Sequence, residues 1–350
     1  MNNFKSLTNN YSNTKNLNFG FSILKSLLCF SVITRHCFNN KTTKNIIILF
    51  ITKRRLIHVP SFILMSFYFN HNTFISSDIT KKRIRFQRLV IPYVGWPIIA
   101  FIFGNIFKKY KYFSKLSSFK LLIHQIITGQ GQGIFHFWYL FDLILTTFIF
   151  YFIIMIFKKK YLFVLNLMLF FSYFLQYSEL NKKIFLFIQN IKYNEGLSRE
   201  NELIPFAVTG FTISSFKILN ILGKYKFNTF FISLLSYILT EKFDIFSQVF
   251  GIAYHGIKLN VLSVCLIIIF SLFPSKISNR KLNFFLKIIT NYSGGIFYLH
   301  QAIQFCFQNS INDIKNGTFF GVIIIYFISY IICIFGATVF SKSKAKNLFS

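Results

Sequence analysis

Residues 318–340 read TFFGVIIIYFISYIICIFGATVF, an apolar run without a charged side chain. About 20 apolar residues allow one α-helix to cross the hydrocarbon core of a bilayer. Comparable runs recur along the 350-residue chain, which is 54% hydrophobic and 20% aromatic. Soluble domains of ordinary composition do not carry so much apolar surface. The sequence therefore predicts a polytopic membrane protein.

Because open sheets cannot exist in lipid, the consistent fold is all-α, a transmembrane bundle of about ten helices. The predicted spans lie near 19–38, 56–74, 88–107, 134–157, 160–178, 203–222, 226–240, 252–273, 287–308 and 318–340. They form one membrane domain, 19–340, between a polar N-terminal segment, 1–18, and a basic C-terminal tail, 341–350. The polar start lacks the apolar core of a cleavable signal peptide, and the apolar segment 183–191 is too short to span.

The formal net charge of +30 comes from 39 basic and 9 acidic residues. The basic residues form short clusters between apolar runs, at 53–55, 81–85 and 158–160. Membrane proteins place such clusters beside lipid headgroups, so we expect membrane lipid as a partner and no nucleic acid. The clusters do not fix the orientation, because the two sets of loops carry similar numbers of Lys and Arg. The five cysteines lie in or beside apolar runs without paired spacing, so we expect no metal site.

Ionisable residues inside apolar runs are the first candidates for function, because they are costly at membrane depth. In LKSLLCFSVITRH, 24–36, Lys25 and His36 are eleven residues apart, close to three helical turns. They project from nearly the same face but lie about 16 Å apart along the axis, so they cannot touch. Two interpretations stay open. Lys25 reaches headgroups and His36 lies at the far interface, or both belong to a functional site.

An arginine cluster lies in KKRIRFQRLVIPY, 81–93. Arg85 and Arg88 are three residues apart on one helix face, with Arg83 just before them. Guanidinium groups match phosphate oxygens, so the cluster suits a phosphorylated ligand. The alternative is a boundary that binds lipid headgroups.

The segment GQGQGIFHFWYLFDLIL, 129–145, contains His136, Trp138 and Asp142. His136 faces a cavity or lies with Trp138 in an interfacial belt. Asp142 lies deeper and needs a cation, a histidine or a proton as partner. The glycines do not form a nucleotide-binding loop, since the lysine and the spacing differ.

The segment NYSGGIFYLHQ, 291–301, combines small residues with Tyr298 and His300. The small residues permit close helix packing. Taken alone, this pattern is more typical of packing than of chemistry.

In this order, the motifs resemble the acyltransferase family 3 of membrane acyltransferases, which includes O-acetyltransferases of bacterial surface polysaccharides. The matching residues are Lys25 and His36; Val59, Pro60, Phe62 and Ser66; Arg85, Arg88 and Pro92; His136, Phe137, Trp138 and Tyr139; and Ser293, Tyr298, Leu299 and His300. The resemblance covers roughly 19–340. Two positions depart from the family pattern: Lys25 replaces an arginine, which keeps the charge without the fork, and Phe67 replaces a glycine.

The resemblance implies transfer of an acyl group, usually acetyl, from acetyl-CoA or another acyl-CoA to a hydroxyl of a cell-surface or lipid-linked glycan. The acyl-CoA is then a substrate, no cofactor is permanently bound, and the location is the plasma membrane. On that basis, Arg85 and Arg88, supported by Arg83, are expected to bind the phosphates of CoA.

The same resemblance assigns roles to the embedded residues. His36 is expected to act as general base on the sugar hydroxyl, with transient acylation of a histidine as a variant. Lys25 is expected to hold a phosphate or the thioester oxygen, and Asp142 to orient a histidine or balance Lys25. The expected supporting residues are His136, Trp138, Tyr298 and His300.

Two alternatives to the enzyme remain at this point. A transporter or flippase for a lipid-linked glycan would also have many spans and embedded charges, although the sequence contains no internal repeat. An inactive protein descended from an acyltransferase would account for the departures at Lys25 and Phe67.

Overall fold

The structure, a computed structural model, describes residues 19–37, 57–106, 117–129, 137–177, 195–242, 256–274, 280–307, 310–341 and 343–349. The helices are α1 (Phe19–Cys37), α2 (His58–Ile75), α3 (Ile79–Ile106), α4 (Phe119–Thr128), α5 (Phe137–Phe157), α6 (Tyr161–Tyr177), α7 (Glu195–Ser215), α8 (Ile218–Leu222), α9 (Lys226–Lys242), α10 (Ile257–Ser271), α11 (Arg280–Phe307), α12 (Asn312–Lys315) and α13 (Phe319–Val339). Short 3-10 turns cover Lys158–Lys160, Gly223–Tyr225 and Lys344–Leu348. All regular elements within these ranges are helical, which confirms the all-α prediction.

Several helices are long and apolar enough to cross a membrane. By length and composition, three described stretches qualify: Ile79–Ile106, Trp138–Gln176 and Phe319–Val339. The pair Leu203–Ser215 and Ile218–Lys242, bent by 59°, makes a fourth if it counts as one span. Each of the predicted spans overlaps a helix of the structure. The segments 1–18 and 183–191 lie outside the described residues.

The surface of the bundle is strongly apolar. Large side chains point outward, including Phe163, Phe335 and Phe170, which are 70%, 69% and 63% exposed. Water would disfavour so much exposed aromatic surface, whereas lipid tails solvate it. Together with the apolar helices, this surface identifies an integral membrane protein.

The relative directions of three helices determine which residues meet. Cys29 of α1 donates to the carbonyl of Ser293 on α11, and the rings of His36 and His300 are 5.5 Å apart further along both helices. The helices α1 and α11 are therefore parallel. Helix α2 is antiparallel to α1, because its C-terminal half contacts the beginning of α1. The start of α1 and the end of α2 therefore lie at one end of these three helices, and His36 and His300 lie at the other end.

A phenylalanine cluster fills the space between α2, α5 and α7. The rings of Phe67, Phe74, Phe150 and Phe211 are fully buried, and the first two stack with centroids 5.2 Å apart. Phe150 contacts both Phe67 and Phe74. Aromatic pairs of this kind contribute about 1 kcal/mol each beyond the burial of their area. The cluster fixes α2 in the bundle, next to the cavity described below.

The C-terminal residues are packed against the bundle. The 3-10 turn Lys344–Leu348 lies against α3 and α13. Phe349 is buried, and its ring stacks on Phe340 with centroids 6.0 Å apart and meets Trp96 edge-on. The basic tail predicted from the sequence is therefore held by apolar contacts.

Candidate functional site

A cavity of about 740 Å³ opens among α1, α2, α3, α5, α11 and the C-terminal residues. Its basic lining residues are Lys25, Lys81, Arg85, Arg88 and Lys346. None of the described residues that line it is acidic. Volumes of this size are typical of sites for small molecules and cofactors. The cavity is therefore suited to an anionic ligand with several negative groups.

Arg85 is the most deeply buried of these cations. It is 6% exposed, and one terminal NH₂ donates to Thr147 at 3.2 Å and to Ser66 at 3.5 Å. Its Nε–H has no hydrogen-bond partner among the described residues. A buried donor without an acceptor costs free energy, so an oxygen of a ligand would relieve that cost.

Phe67, the residue at which the chain departs from the family pattern, packs against the guanidinium of Arg85. The guanidinium carbon of Arg85 is 5.4 Å from the ring centroid of Phe67 and 4.7 Å from that of Phe74. Cation–π contacts of desolvated groups contribute roughly 1–2 kcal/mol. Phe67 thus provides part of the surface on which Arg85 rests.

We expect Phe67→Ala to destabilise the protein by about 3–5 kcal/mol, because it leaves a void within the phenylalanine cluster. The measurement is the thermal unfolding midpoint of the purified protein in detergent. Phe163→Ala is the matched control, since Phe163 is exposed on the outer surface. Equal midpoints for the two variants would contradict a structural role for Phe67.

The other cations differ in their surroundings. The amine of Lys25 is 5.6 Å from the ring centroid of Phe69. Lys81 forms an ion pair with Asp78 at 3.8 Å, and the backbone N–H of Thr80 donates to the same carboxylate. This backbone hydrogen bond is the main reason that the pKa of Asp78 lies below its ordinary value. The charge of Lys81 is therefore partly neutralised by Asp78, whereas the guanidinium of Arg85 contacts hydroxyl groups and aromatic rings.

The predicted arginine cluster divides in the structure. Arg85 and Arg88 both line the cavity, as their spacing on one helix face requires. Arg83 is exposed and is not among the lining residues. Residues two positions apart on an α-helix point to nearly opposite sides, so Arg83 cannot share the face of Arg85.

Three histidines meet at the opposite end of α1, outside the cavity lining. His36, in the last turn of α1, is near His300, with ring centroids 5.5 Å apart. A hydrogen bond of 3.2 Å joins Nδ1 of His36 to the side-chain amide of Gln301. His58, the first residue of α2, is buried and interacts electrostatically with His36 and His300. His36 itself is exposed.

One aromatic layer separates the histidines from the cavity. Phe297 lines the cavity, and its ring is 6.2 Å from that of His300. Phe297 also contacts Phe62 and Tyr139, which line the same cavity. The structure therefore brings Lys25, Arg85 and Arg88 to one cavity and places His36 beyond its end.

The remaining candidates have different positions. Tyr298 is buried and lines the cavity, and Trp138 is half-buried against Tyr139. Asp142 is fully buried on α5, where it interacts electrostatically with Tyr93, and it does not line the cavity. His136 lies outside the described residues.

Some residues of these two sites were not identified from the sequence. His58 lies directly before the Val59–Pro60 pair, and Gln301 directly follows His300, so motif neighbours were the available signal. Lys81 belongs to a basic cluster that was attributed to headgroups. Lys346 belongs to the C-terminal tail, and no sequence pattern indicates that it returns to the cavity.

Within the described ranges, no three His, Cys, Asp or Glu side chains are arranged to hold a metal ion. The cysteines Cys29 and Cys37 donate hydrogen bonds to Ser293 and Gln304, respectively. These sulfurs thus act in helix packing.

A match to a known protein family covers nearly the whole chain. A family model described as an acyltransferase domain, Acyl_transf_3, matches residues 18–342. The match stops before the Lys344–Leu348 turn. No curated protein and no solved structure matches the chain.

Proposed function

Because the chain belongs to the acyltransferase 3 family of membrane acyltransferases, we propose that it transfers an acyl group, in the simplest case acetyl, from acyl-CoA to a hydroxyl of a cell-surface or lipid-linked glycan. The observation that carries the choice of donor is the cavity, with its basic residues and no acidic residue among the described ones that line it. CoA carries several phosphates at one end and an acyl thioester at the other. Such a molecule matches a site with cations at one end and a base beyond the other.

The phosphates are proposed to bind near the arginines. Arg85 offers an Nε–H without a partner among the described residues, and Arg88 lies one turn further along the same face. Guanidinium groups donate two parallel hydrogen bonds to phosphate, and the bonds are strong because both partners are charged. Phosphate binding at Arg85 would also compensate a buried positive charge.

Lys25 is proposed to bind phosphate rather than the thioester oxygen. It lines the cavity, whereas His36 lies three turns away, about 16 Å along α1. A cation that stabilises the oxyanion must be within hydrogen-bond distance of the carbon that the nucleophile attacks. Lys25 cannot serve that carbon while His36 activates the attacking hydroxyl. Of the two roles expected for Lys25, holding a phosphate or holding the thioester oxygen, we therefore propose the first.

His36 is proposed to act as the general base. A neutral imidazole nitrogen takes the proton of the glycan hydroxyl while the hydroxyl oxygen bonds to the thioester carbonyl carbon. The resulting tetrahedral intermediate expels CoA as a thiolate, which takes the proton from the imidazolium, and the ester is formed. The side-chain amide of Gln301 can offer either its NH₂ or its oxygen to His36, so it orients the ring in either tautomer.

The position of Phe297 between the cavity and the histidines suggests from which end each substrate enters the site. The thioester end of the acyl-CoA must pass the aromatic layer that contains Phe297 to reach the histidines from the cavity. The glycan then approaches the exposed side of His36, away from the CoA phosphates. Donor and acceptor thus enter from different ends of the site, in the plasma membrane.

The function is tested with membranes of cells that carry the glycan and express this chain. Labelled acetyl-CoA is added, and label in the glycan fraction is counted. The proposal predicts time-dependent labelling that depends on the protein and is absent from an empty-vector control. Equal labelling in both would contradict it, and transport of unmodified glycan by the purified protein would favour the flippase alternative.

Restoring the family's arginine at position 25 gives a separate prediction. We expect Lys25→Arg to keep the Kd for CoA within about twofold or to lower it a few-fold, because the planar guanidinium keeps the charge and can donate two parallel hydrogen bonds to one phosphate. Lys25→Gln is the comparison, and it should weaken binding about tenfold. Isothermal calorimetry with the full chain in nanodiscs measures both. A tenfold loss in Lys25→Arg would show that this position does not bind phosphate as proposed.

A further inference from the structure

We propose that the C-terminal segment 343–349 is a wall of the donor site and that Lys346 binds a phosphate of the ligand, an inference that rests on the proposed function. The segment contributes Lys346 and Asn347 to the cavity lining, beside the arginines of α3. It lies beyond the part of the chain that matches the family model. The binding site is therefore incomplete without it.

The segment is anchored by apolar contacts after Lys346 and by hydrogen bonding before it, where the backbone N–H of Ser343 donates to the carbonyl of Phe340 at 2.9 Å. Phe349 is buried between the rings of Phe340 and Trp96. Ser343 accepts a hydrogen bond from the backbone N–H of Ala345 at 3.1 Å, which closes the start of the turn. A segment fixed at both ends gives its lysine a defined position and reduces the entropy lost on binding.

Three glycines on three helices form the surface that receives the segment. A Cβ on Gly95 would lie 2.3 Å from a methyl carbon of Leu348. One on Gly295 would lie 2.6 Å from the carbonyl oxygen of Phe349, and one on Gly336 would lie 2.5 Å from its ring. The close approach of the segment therefore requires glycine at Gly295 and Gly336, where a Cβ would meet backbone atoms or the buried ring of Phe349. At Gly95, in contrast, the flexible Leu348 side chain could move aside. Gly295, which the sequence indicated as a helix-packing residue, serves this contact.

The apolar anchoring of the segment does not need the positive charge of Lys346. That charge is therefore assigned to ligand binding. Lys346 is an exposed residue of the cavity lining. The described cavity lining contains no carboxylate that would pair with it. Lys344, two residues earlier, is also exposed but is not a lining residue. The two lysines of one turn thus form a natural pair for comparison.

The test measures the Kd of CoA for the full chain in nanodiscs. Lys346→Gln should raise the Kd about five- to tenfold through loss of a charge-assisted hydrogen bond, and Lys346→Arg should restore it. Lys344→Gln should change the Kd less than about twofold, as expected for an exposed lysine outside the site. The rescue by arginine distinguishes a bound charge from a merely structural side chain.

A second variant tests the anchoring without changing any charge. Gly336→Val would collide with the ring of Phe349 and displace the segment, so the Kd for CoA should also rise about five- to tenfold. Should this variant fail to fold, Phe349→Ala removes the anchor without crowding and should have the same effect. Gly223→Ala is the control, because a Cβ there would meet nothing within 4 Å.

The outcomes separate the inference from the proposed function. If wild type binds CoA and Arg88→Gln weakens binding, but Lys346→Gln behaves as Lys344→Gln, the inference is overturned and the proposed function stands. If wild type does not bind CoA, both are overturned. A loss in Lys346→Gln that arginine restores supports both.

Discussion

His36→Ala should lower the rate of acyl transfer by about 10²- to 10⁴-fold, the usual contribution of a general base. The same variant should bind CoA with unchanged affinity, because His36 does not line the cavity of the cations. Loss of rate without loss of donor affinity is the expected signature of a residue beyond the end of the donor site. Label transfer to the glycan and calorimetric binding of CoA measure the two quantities.

The matched control for this prediction is His124→Ala. His124 lies on α4, outside the cavity lining and outside the group formed by His36, His58 and His300. It should retain the wild-type rate. Full transfer by His36→Ala would remove the base from the mechanism, and a parallel loss of CoA affinity would mean that the histidines belong to the donor site.

Arg85→Ala should raise the Kd for CoA roughly 10- to 100-fold, because it removes hydrogen bonds between two charged groups in a buried place. The effect should exceed that of Arg88→Ala, since Arg88 is exposed and its pairing is screened by water. Calorimetry with the full chain measures both variants.

The control for Arg85 is Lys82→Gln on the same helix. The amine of Lys82 is 5.3 Å from the ring centroid of Tyr151, and the residue does not line the cavity. It should bind CoA as wild type does, although one positive charge is lost. Equal weakening by Lys82→Gln and Arg85→Ala would indicate a general effect of net charge on the anion instead of a specific phosphate site.

The fold could be predicted because lipid leaves few choices for the backbone. Apolar length gives the helices, and the structure places a helix at each predicted span. The C-terminal tail could not be predicted, since its position depends on contacts of Leu348 and Phe349 with glycines far away in sequence. Such contacts leave no periodic pattern in the tail itself.

The site could be predicted in part for the same physical reasons. Arg85 and Arg88 meet in one cavity because helical periodicity over three residues is reliable, and the same periodicity turns Arg83 away. The separation of Lys25 from His36 along one helix also followed from spacing. What spacing could not give is the position of Asp142, because the partner of a buried carboxylate depends on how different helices pack.

The central claim is that the cavity with five cations holds an acyl-CoA. The most direct measurement is binding of labelled acetyl-CoA to the purified full chain in nanodiscs, with unlabelled CoA and inorganic pyrophosphate as competitors. We expect saturable binding that CoA displaces fully, that pyrophosphate displaces at higher concentration, and that His36→Ala retains. Absence of saturable binding, or binding that excess CoA does not displace, would contradict it.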